Sequence, residues 1–235
     1  MRPDAPRIPN DLAEYYELPD EDEFENCLFD EADMAHEHMR AREFRPCVFR
    51  KCTITDADLT RAGFVDVIFD HCDLSRATFE TAVCQRVTFD TCRLSGTDMV
   101  KAILRSTAFR DCKADYINLS EVKTDRMVFT GCQMPEAAME AMILKNIEFT
   151  DCDLTRATVF RTPLKGLDMT TCTLDGLMVN LPDLRGMIVT PLQAAELATR
   201  QGIDVTICNG KRPEALYDIV KGVNAGTLFA GRLLV

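Results

Sequence analysis

The chain has 235 residues, of which 46% are hydrophobic and 28% are charged, and its net charge is −11 at pH 7. This composition is typical of one globular domain with or without a small appendage and excludes a disordered chain. The acidic balance argues against contacts that neutralise nucleic-acid phosphates and favours a basic partner. Neither an export signal nor a run of about eighteen apolar residues is visible, so we expect a cytoplasmic protein without a membrane span.

Residues 1–23 are predicted to be a leader that precedes the main domain. Pro3, Pro6, Pro9 and Pro19 disfavour a helix, and residues 19–23, Pro-Asp-Glu-Asp-Glu, are strongly acidic. We expect this segment to be extended or partly mobile.

Phenylalanine recurs with a period of five residues from Phe24 onward. Eleven of the 13 phenylalanines lie between residues 24 and 149, all at positions ending in 4 or 9, and most positions of this phase up to Val189 hold Phe, Leu or Met. Two residues before each of them lies a second regular set, in which Cys occurs nine times and Ala eight times. A period of five fits neither a helix nor a continuous strand, so it predicts short extended pieces joined by corners, with both sets pointing inward.

Two columns within the repeat indicate how many sides the coil has. Cysteine and phenylalanine each recur every twenty residues, at Cys52, Cys72, Cys92, Cys112, Cys132, Cys152 and Cys172 and at Phe49, Phe69, Phe89, Phe109, Phe129 and Phe149. Twenty residues are four units of five, so a four-sided coil would stack like on like in successive turns. The sequence therefore predicts an all-β solenoid of about eight coils over residues 24–189, with these columns as its structural core ladder.

Several units of the repeat resemble those of pentapeptide-repeat proteins: Ala-Asp-Leu-Thr-Arg at 57–61, Cys-Asp-Leu-Ser-Arg at 72–76 and Cys-Asp-Leu-Thr-Arg at 152–156. The resemblance covers about 70% of the chain. It implies a right-handed quadrilateral β-helix.

A few residues depart from the repeat and predict irregular places. Glu37 and Arg42 occupy inward positions, where isolated charges are costly, so we expect them either to pair or to distort the first coils. Ala114 and Thr124 are small for their inward positions and Pro182 replaces a small residue, which predicts local thinning and a looser coil near its end.

The five-residue period does not continue into residues 190–235. Thr190 is predicted to cap a helix that begins at Pro191 and stops at Gly202, and a strand at 203–208, a helix at 212–222 and a strand at 226–235 follow. We expect these elements to form a small α/β cap over the last coil. Alternatively, the apolar end at residues 228–235 pairs two chains into a homodimer.

The same tail has a second resemblance. Residues 192–229 are similar to the end of the amino-acid kinase domain of glutamate 5-kinases, where a helix, strand, helix and Gly-Thr-x-Phe strand follow in this order. The rest of such a kinase has no counterpart upstream. We interpret the segment as a fragment that serves as a cap, without kinase activity.

The chemically reactive side chains do not form a convincing site in the sequence. Stacked cysteines keep their Cβ atoms about 4.8 Å apart, which is too wide for an unstrained disulfide, and parallel thiols do not converge on a tetrahedral metal. Residues 36–38, His-Glu-His, lack the spacing of helical metal ligands, and the carboxylate pairs at 111/115 and 151/153 have no predicted cleft. We therefore expect reduced thiols, no catalytic, cofactor or metal site, and no enzyme.

The resemblance implies a function in bacteria. The best understood members of the family are acidic dimers that mimic DNA, bind DNA gyrase or topoisomerase IV and protect against quinolones. Such mimicry requires negative charge along the coil, but residues 1–48 carry a net charge of −9, residues 49–189 only −3 and the tail +1. The hypotheses are thus a topoisomerase-binding DNA mimic that contacts neither nucleic acid nor membrane, or a general protein-interaction scaffold with an unknown partner.

Overall fold

The computed structural model describes residues 2–200, 202–207, 219, 221 and 227–231. The chain divides into two compact units, Met1–Met187 and Ile188–Val235. The first unit is a parallel β-solenoid and the second is a small helix and strand region, so the predicted fold class is confirmed.

The first unit contains one eight-stranded parallel sheet whose strands neighbour each other in chain order. These strands are β1 (Ala13–Tyr15), β2 (Glu23–Asp30), β3 (Glu43–Arg50), β4 (Gly63–Asp70), β5 (Val83–Asp90), β6 (Ile103–Arg110), β7 (Lys123–Thr130) and β8 (Ile147–Thr150). From β2 onward, partners are twenty residues apart, as in Phe49↔Phe69. Single bridges on the other sides, such as Asp73↔Arg93 and Thr78↔Asp98, repeat the same shift. One coil therefore takes four units of five residues, as predicted.

We call the four sides of the coil faces 1 to 4. In one coil they are residues 62–65, 67–70, 72–75 and 77–80, and each face recurs every twenty residues. The residue between faces is a corner, and most corners hold a backbone with positive φ, such as 59° at Asp66 and 58° at Arg76. This conformation is uncommon for L residues, but hydrogen bonds between coils hold it, including Arg76 N–H to the Ser95 carbonyl oxygen at 3.0 Å.

The core of the coil consists of stacked side chains. On face 2 the phenylalanine rings of successive coils lie nearly parallel, with centroids 4.8 Å apart for Phe49 and Phe69 and 4.7 Å for Phe89 and Phe109. On face 3 the cysteines are buried, and the Cys92 thiol donates a hydrogen bond to the Phe69 carbonyl oxygen at 3.3 Å. Each large buried side chain contributes about 1.5–3 kcal/mol of transfer free energy, so the whole column stabilises the coil.

The irregular residues behave differently from each other. The Arg42 guanidinium forms an ion pair with Asp20 at 3.6 Å and donates to the Pro19 carbonyl oxygen at 3.3 Å. Glu37 is exposed and forms no ion pair with a described residue, and the register of the coils is undisturbed. The expectation of pairing is therefore confirmed for Arg42, whereas Glu37 neither pairs nor distorts the coil. The predicted loosening near the end is confirmed: β8 has four residues, and β9 (Thr158–Val159) and β10 (Met178–Val179) have two each.

The second unit begins with the predicted helix, α1 (Pro191–Arg200). The Thr190 hydroxyl accepts the Gln193 N–H at 3.2 Å, and the Gln193 side chain accepts the Thr190 N–H at 2.8 Å. Two short antiparallel strands follow, β11 (Val205–Ile207) and β12 (Thr227–Phe229). Most of the predicted second helix at 212–222 and the end of the last strand at 232–235 lie outside the described residues. In the described part of the chain, no helix is long and apolar enough to cross a membrane.

Candidate interaction surface

The outer surface of the coil is organised in columns. Each face points some side chains outward, and the twenty-residue register places equivalent residues of successive coils about 4.8 Å apart. The charge of a column therefore decides what the whole face can bind.

Faces 2 and 3, with the corners that follow them, are acidic. Face 2 carries eight acidic side chains against Arg50, Lys51 and Arg110, and the acidic ones are Asp30, Glu31, Asp70, Asp90, Asp111, Glu148, Asp151 and Asp168. Face 3 carries seven against Arg76, Arg93, Lys113 and Arg156, and these are Asp33, Asp56, Asp73, Asp115, Glu136, Asp153 and Asp175. Most of the face 2 carboxylates lie at the border with face 3, so the two faces form one continuous acidic surface.

Ion pairs between neighbouring coils neutralise part of this acidic surface. The Arg76 guanidinium contacts both carboxylate oxygens of Asp56, at 2.7 and 2.6 Å, and Arg50 contacts Asp30 in the same way at 2.8 and 2.5 Å. These hydrogen bonds lower the pKa of both carboxyl groups below the usual value. Asp111, by contrast, forms no ion pair with any described residue. The acidic surface thus keeps a net negative charge.

Face 1, with its corner, has the opposite character. It carries nine basic side chains against seven acidic ones, and the basic ones are Arg42, Arg45, Arg86, Arg105, Lys123, Arg126, Lys145, Lys165 and Arg185. The coil is therefore electrostatically asymmetric, a property that segment charges along the sequence did not reveal.

The leader is not separate from the coil. Its strand β1 extends the sheet by one rung, with Tyr15 paired to Phe29, and the two rings lie 5.6 Å apart. Further toward the N-terminus, the Arg7 N–H donates to the Asp66 carboxylate at 2.9 Å. Sequence reasoning missed this docking, although apolar residues at the outward positions Leu28, Val48, Ile68 and Val128 were a signal that something covers them.

The residues predicted as the structural ladder lie inside the coil and not on these surfaces. The seven cysteines and six phenylalanines are all buried. Burial raises the pKa of the neighbouring Cys47 and Cys84 thiols to about 12, which makes them poor nucleophiles. These side chains stabilise the fold and are not available for binding.

The other chemical candidates do not come together in the structure. His36 and His38 are exposed, and no group of three or more possible metal ligands exists among the described residues. The Asp153 carboxylate accepts hydrogen bonds from Thr155, and the Asp115 carboxylate accepts one from Ser95. Local turns and the neighbouring coil thus use these carboxylates.

Comparison with protein families agrees with this architecture. The family model "Pentapeptide repeat region" matches residues 62–138 and 82–159, and the model "Pentapeptide repeats (8 copies)" matches residues 43–80.

Two kinds of known protein are similar to parts of the chain. Glutamate 5-kinase of Clostridium perfringens is 47% identical over 47 residues, which is 20% of this chain, and that of Enterobacter sp. strain 638 is 48% identical over 44 residues, or 19%. The chain spans only 18% and 12% of these two kinases. Among solved structures, full-length QnrB1, a plasmid-mediated fluoroquinolone resistance protein, is 21% identical over 77% of this chain and 90% of its own, with a TM-score of 0.44. HetL of Nostoc sp. PCC 7120, involved in heterocyst differentiation regulation, is 14% identical over 74% and 87%, with a TM-score of 0.30.

Proposed function

This chain belongs to the pentapeptide-repeat family, and we propose that it is a binding protein without enzymatic activity that presents the acidic surface of faces 2 and 3 to a basic protein partner. The observation that carries the proposal is the separation of charge around the coil. Fifteen carboxylates lie on faces 2 and 3 against seven basic side chains, while basic residues outnumber acidic ones on face 1. A surface of one sign attracts and orients a partner of the opposite sign.

A type II topoisomerase, DNA gyrase or topoisomerase IV, is the partner that we propose. The surfaces of such enzymes that hold duplex DNA must be complementary to a regular array of negative charge. Carboxylates on the acidic surface recur about every 4.8 Å along a column, so this surface also offers a regular array of negative charge. The protein would then occupy the DNA site and change the sensitivity of the enzyme to quinolones.

The alternative is a general interaction scaffold with a different protein partner. The ion pairs Arg50–Asp30 and Arg76–Asp56 favour this alternative, because they neutralise carboxylates that a DNA mimic would leave free. A scaffold would bind through a limited patch and would not compete with DNA.

A supercoiling assay separates the two. Purified protein is added to gyrase and relaxed plasmid, with and without a fluoroquinolone. A DNA mimic inhibits supercoiling at micromolar concentration or protects the enzyme from the drug. Absence of both effects would exclude the topoisomerase and leave the scaffold.

We also propose that residues 228–235 pair two chains. Leu228 has 64% of its surface exposed and so offers apolar area that a second chain would bury. Light scattering should give twice the mass of 26.4 kDa for the wild-type protein and a monomer for Leu228→Asp. A monomeric wild-type protein at high concentration would contradict the pairing.

A further inference from the structure

Small and apolar side chains form a column on the outer side of face 2. The register stacks the middle residues of this face, which are Leu28, Val48, Ile68, Thr88, Ala108 and Val128. Thr88 and Ala108 are only 5% and 3% exposed, although they point out of the coil. Thr78 and Ala138 occupy the same outward position on face 4 and are half-buried. Something outside the coil therefore covers this middle column, whereas the carboxylates at the border with face 3 stay accessible.

The cover is the leader. Pro3, Pro6 and Ile8 are half-buried while most residues between them are exposed, so one side of the leader packs against the coil. Arg2 and Pro3 also line a shared cavity with Val128. The leader thus runs along the axis of the coil and across its strands.

Polar contacts fix the position of the leader along the coil. The Arg7 N–H donates to Asp66 at 2.9 Å, the Ser106 hydroxyl donates to the Asp4 carboxylate at 3.3 Å, and Arg126 Nη1 forms an ion pair with Asp4 at 3.0 Å. Asp66 and Ser106 occupy the same corner two coils apart, a distance of about 9.6 Å. Three residues of polyproline II chain span about 9.3 Å, so an extended segment that has proline at every third position matches the spacing of the coils.

The site holds more hydrogen-bonding capacity than the leader uses. Arg126 Nε is buried and has no hydrogen-bond partner among the described residues, although Nη1 of the same side chain holds Asp4. A carboxylate that met both nitrogens would satisfy this donor. Residues 2–12 also contribute no strand to the ladder, so the coil keeps its backbone pairing when they leave.

We propose that this strip is a binding site for extended peptide segments with proline at every third position, and that residues 2–12 are its intramolecular occupant. We call it the face-2 groove: the column Leu28 to Val128 with Asp66, Ser106 and Arg126 on its edge. Its ligand carries a carboxylate that Arg126 holds and, three residues later, a backbone N–H that Asp66 accepts. A partner with this sequence pattern displaces the leader.

The test uses the full-length chain with the leader released by Pro6→Asp and Ile8→Asp. Hydrogen exchange at the Arg7 amide verifies release, and circular dichroism verifies that the coil is intact. A fluorescent peptide of residues 2–12 should bind this variant saturably, and at least about tenfold more weakly to the wild-type chain, whose own leader competes at high effective concentration. Equal binding to both proteins, no binding to the released variant, or an Arg7 amide that stays protected would each overturn the proposal.

A charge exchange then tests the position of the ligand. In the released variant, Arg126→Glu should abolish binding of the wild-type peptide, and a peptide with Asp4→Arg should restore it. Arg105→Glu makes the same charge change on face 1 and should leave binding unchanged. If the two substitutions weaken binding equally, the peptide does not occupy the face-2 groove.

Discussion

Arg86 and Asp66 form a two-point ion pair between successive coils at the corner of faces 1 and 2. Nε lies 2.6 Å from Oδ1 and Nη2 lies 2.7 Å from Oδ2, and the two side chains are only 16% and 10% exposed. Asp66→Asn leaves the guanidinium without its charged partner, so we expect the free energy of unfolding in urea to fall by about 1–3 kcal/mol. Asp56→Asn breaks the similar but solvent-exposed pair with Arg76 and should have little effect. If Asp66→Asn and Asp56→Asn lowered the unfolding free energy equally, burial of the Arg86–Asp66 pair would not make it more stabilising than the exposed pair.

The same carboxylate gives a prediction for pH. Burial alone would raise the pKa of Asp66, but hydrogen bonds from Arg86 and from the Arg7 backbone outweigh it and lower the pKa below 3.8. A group with a lowered folded pKa stabilises the fold above its unfolded pKa, and this contribution disappears as the pH falls through the folded pKa.

The difference in unfolding free energy between the wild type and Asp66→Asn should therefore stay constant from pH 7 to about pH 5 and shrink below about pH 4. Urea denaturation at pH 7, 5 and 3 measures it. A difference that grows in acid would contradict the assigned interaction.

Replacing a phenylalanine of the column by alanine should destabilise the fold most in the middle of the column. Phe89 lies between two parallel rings, with centroids 4.9 Å from Phe69 and 4.7 Å from Phe109, and is fully buried. Phe89→Ala should cost about 3–5 kcal/mol of unfolding free energy. Phe149→Ala removes a ring next to the shortened strands and should cost less, because this part of the coil can relax into the space. A smaller loss for Phe89→Ala than for Phe149→Ala would be the contrary result.

The cysteine column should be chemically inert in the folded protein. Cys92 Sγ donates to carbonyl oxygens at 3.3 Å, which requires the protonated thiol, and a thiol is far less nucleophilic than a thiolate. Iodoacetamide at pH 8 should therefore leave Cys72, Cys92 and Cys112 unmodified in the native protein and modify them all in urea. Peptide mass spectrometry measures the extent of alkylation at each cysteine. Rapid alkylation of Cys92 in the native protein would contradict the prediction, because it requires an accessible thiolate.

The sequence was sufficient for the coil because its information is periodic. Stacking of Phe69 over Phe49 follows from a spacing of twenty residues, which is four units of five and therefore one turn of a four-sided coil. The helix after Thr190 follows from local capping chemistry, which depends on neighbouring residues only.

The surface could not be predicted as completely. The charge of a face is known only after each residue has been assigned to one of the four faces. The net charge of a sequence segment sums over all faces and therefore did not show that faces 2 and 3 are acidic. Docking of the leader joins residues far apart in the chain, such as Asp4 and Arg126, without a local pattern. The only sign of this docking in the sequence was the apolar residues at outward positions of face 2.

The most direct test of the proposed function is the binding of purified gyrase to two variants with the same change in charge. The first reverses the acidic surface with Asp70→Lys, Asp90→Lys and Asp111→Lys, and the second reverses face 4 with Glu80→Lys, Glu121→Lys and Glu140→Lys. We predict that the wild type and the face 4 variant bind immobilised gyrase alike in surface plasmon resonance, and that the first variant binds at least about tenfold more weakly. Equal binding by both variants, or no binding by the wild-type protein, would contradict the account.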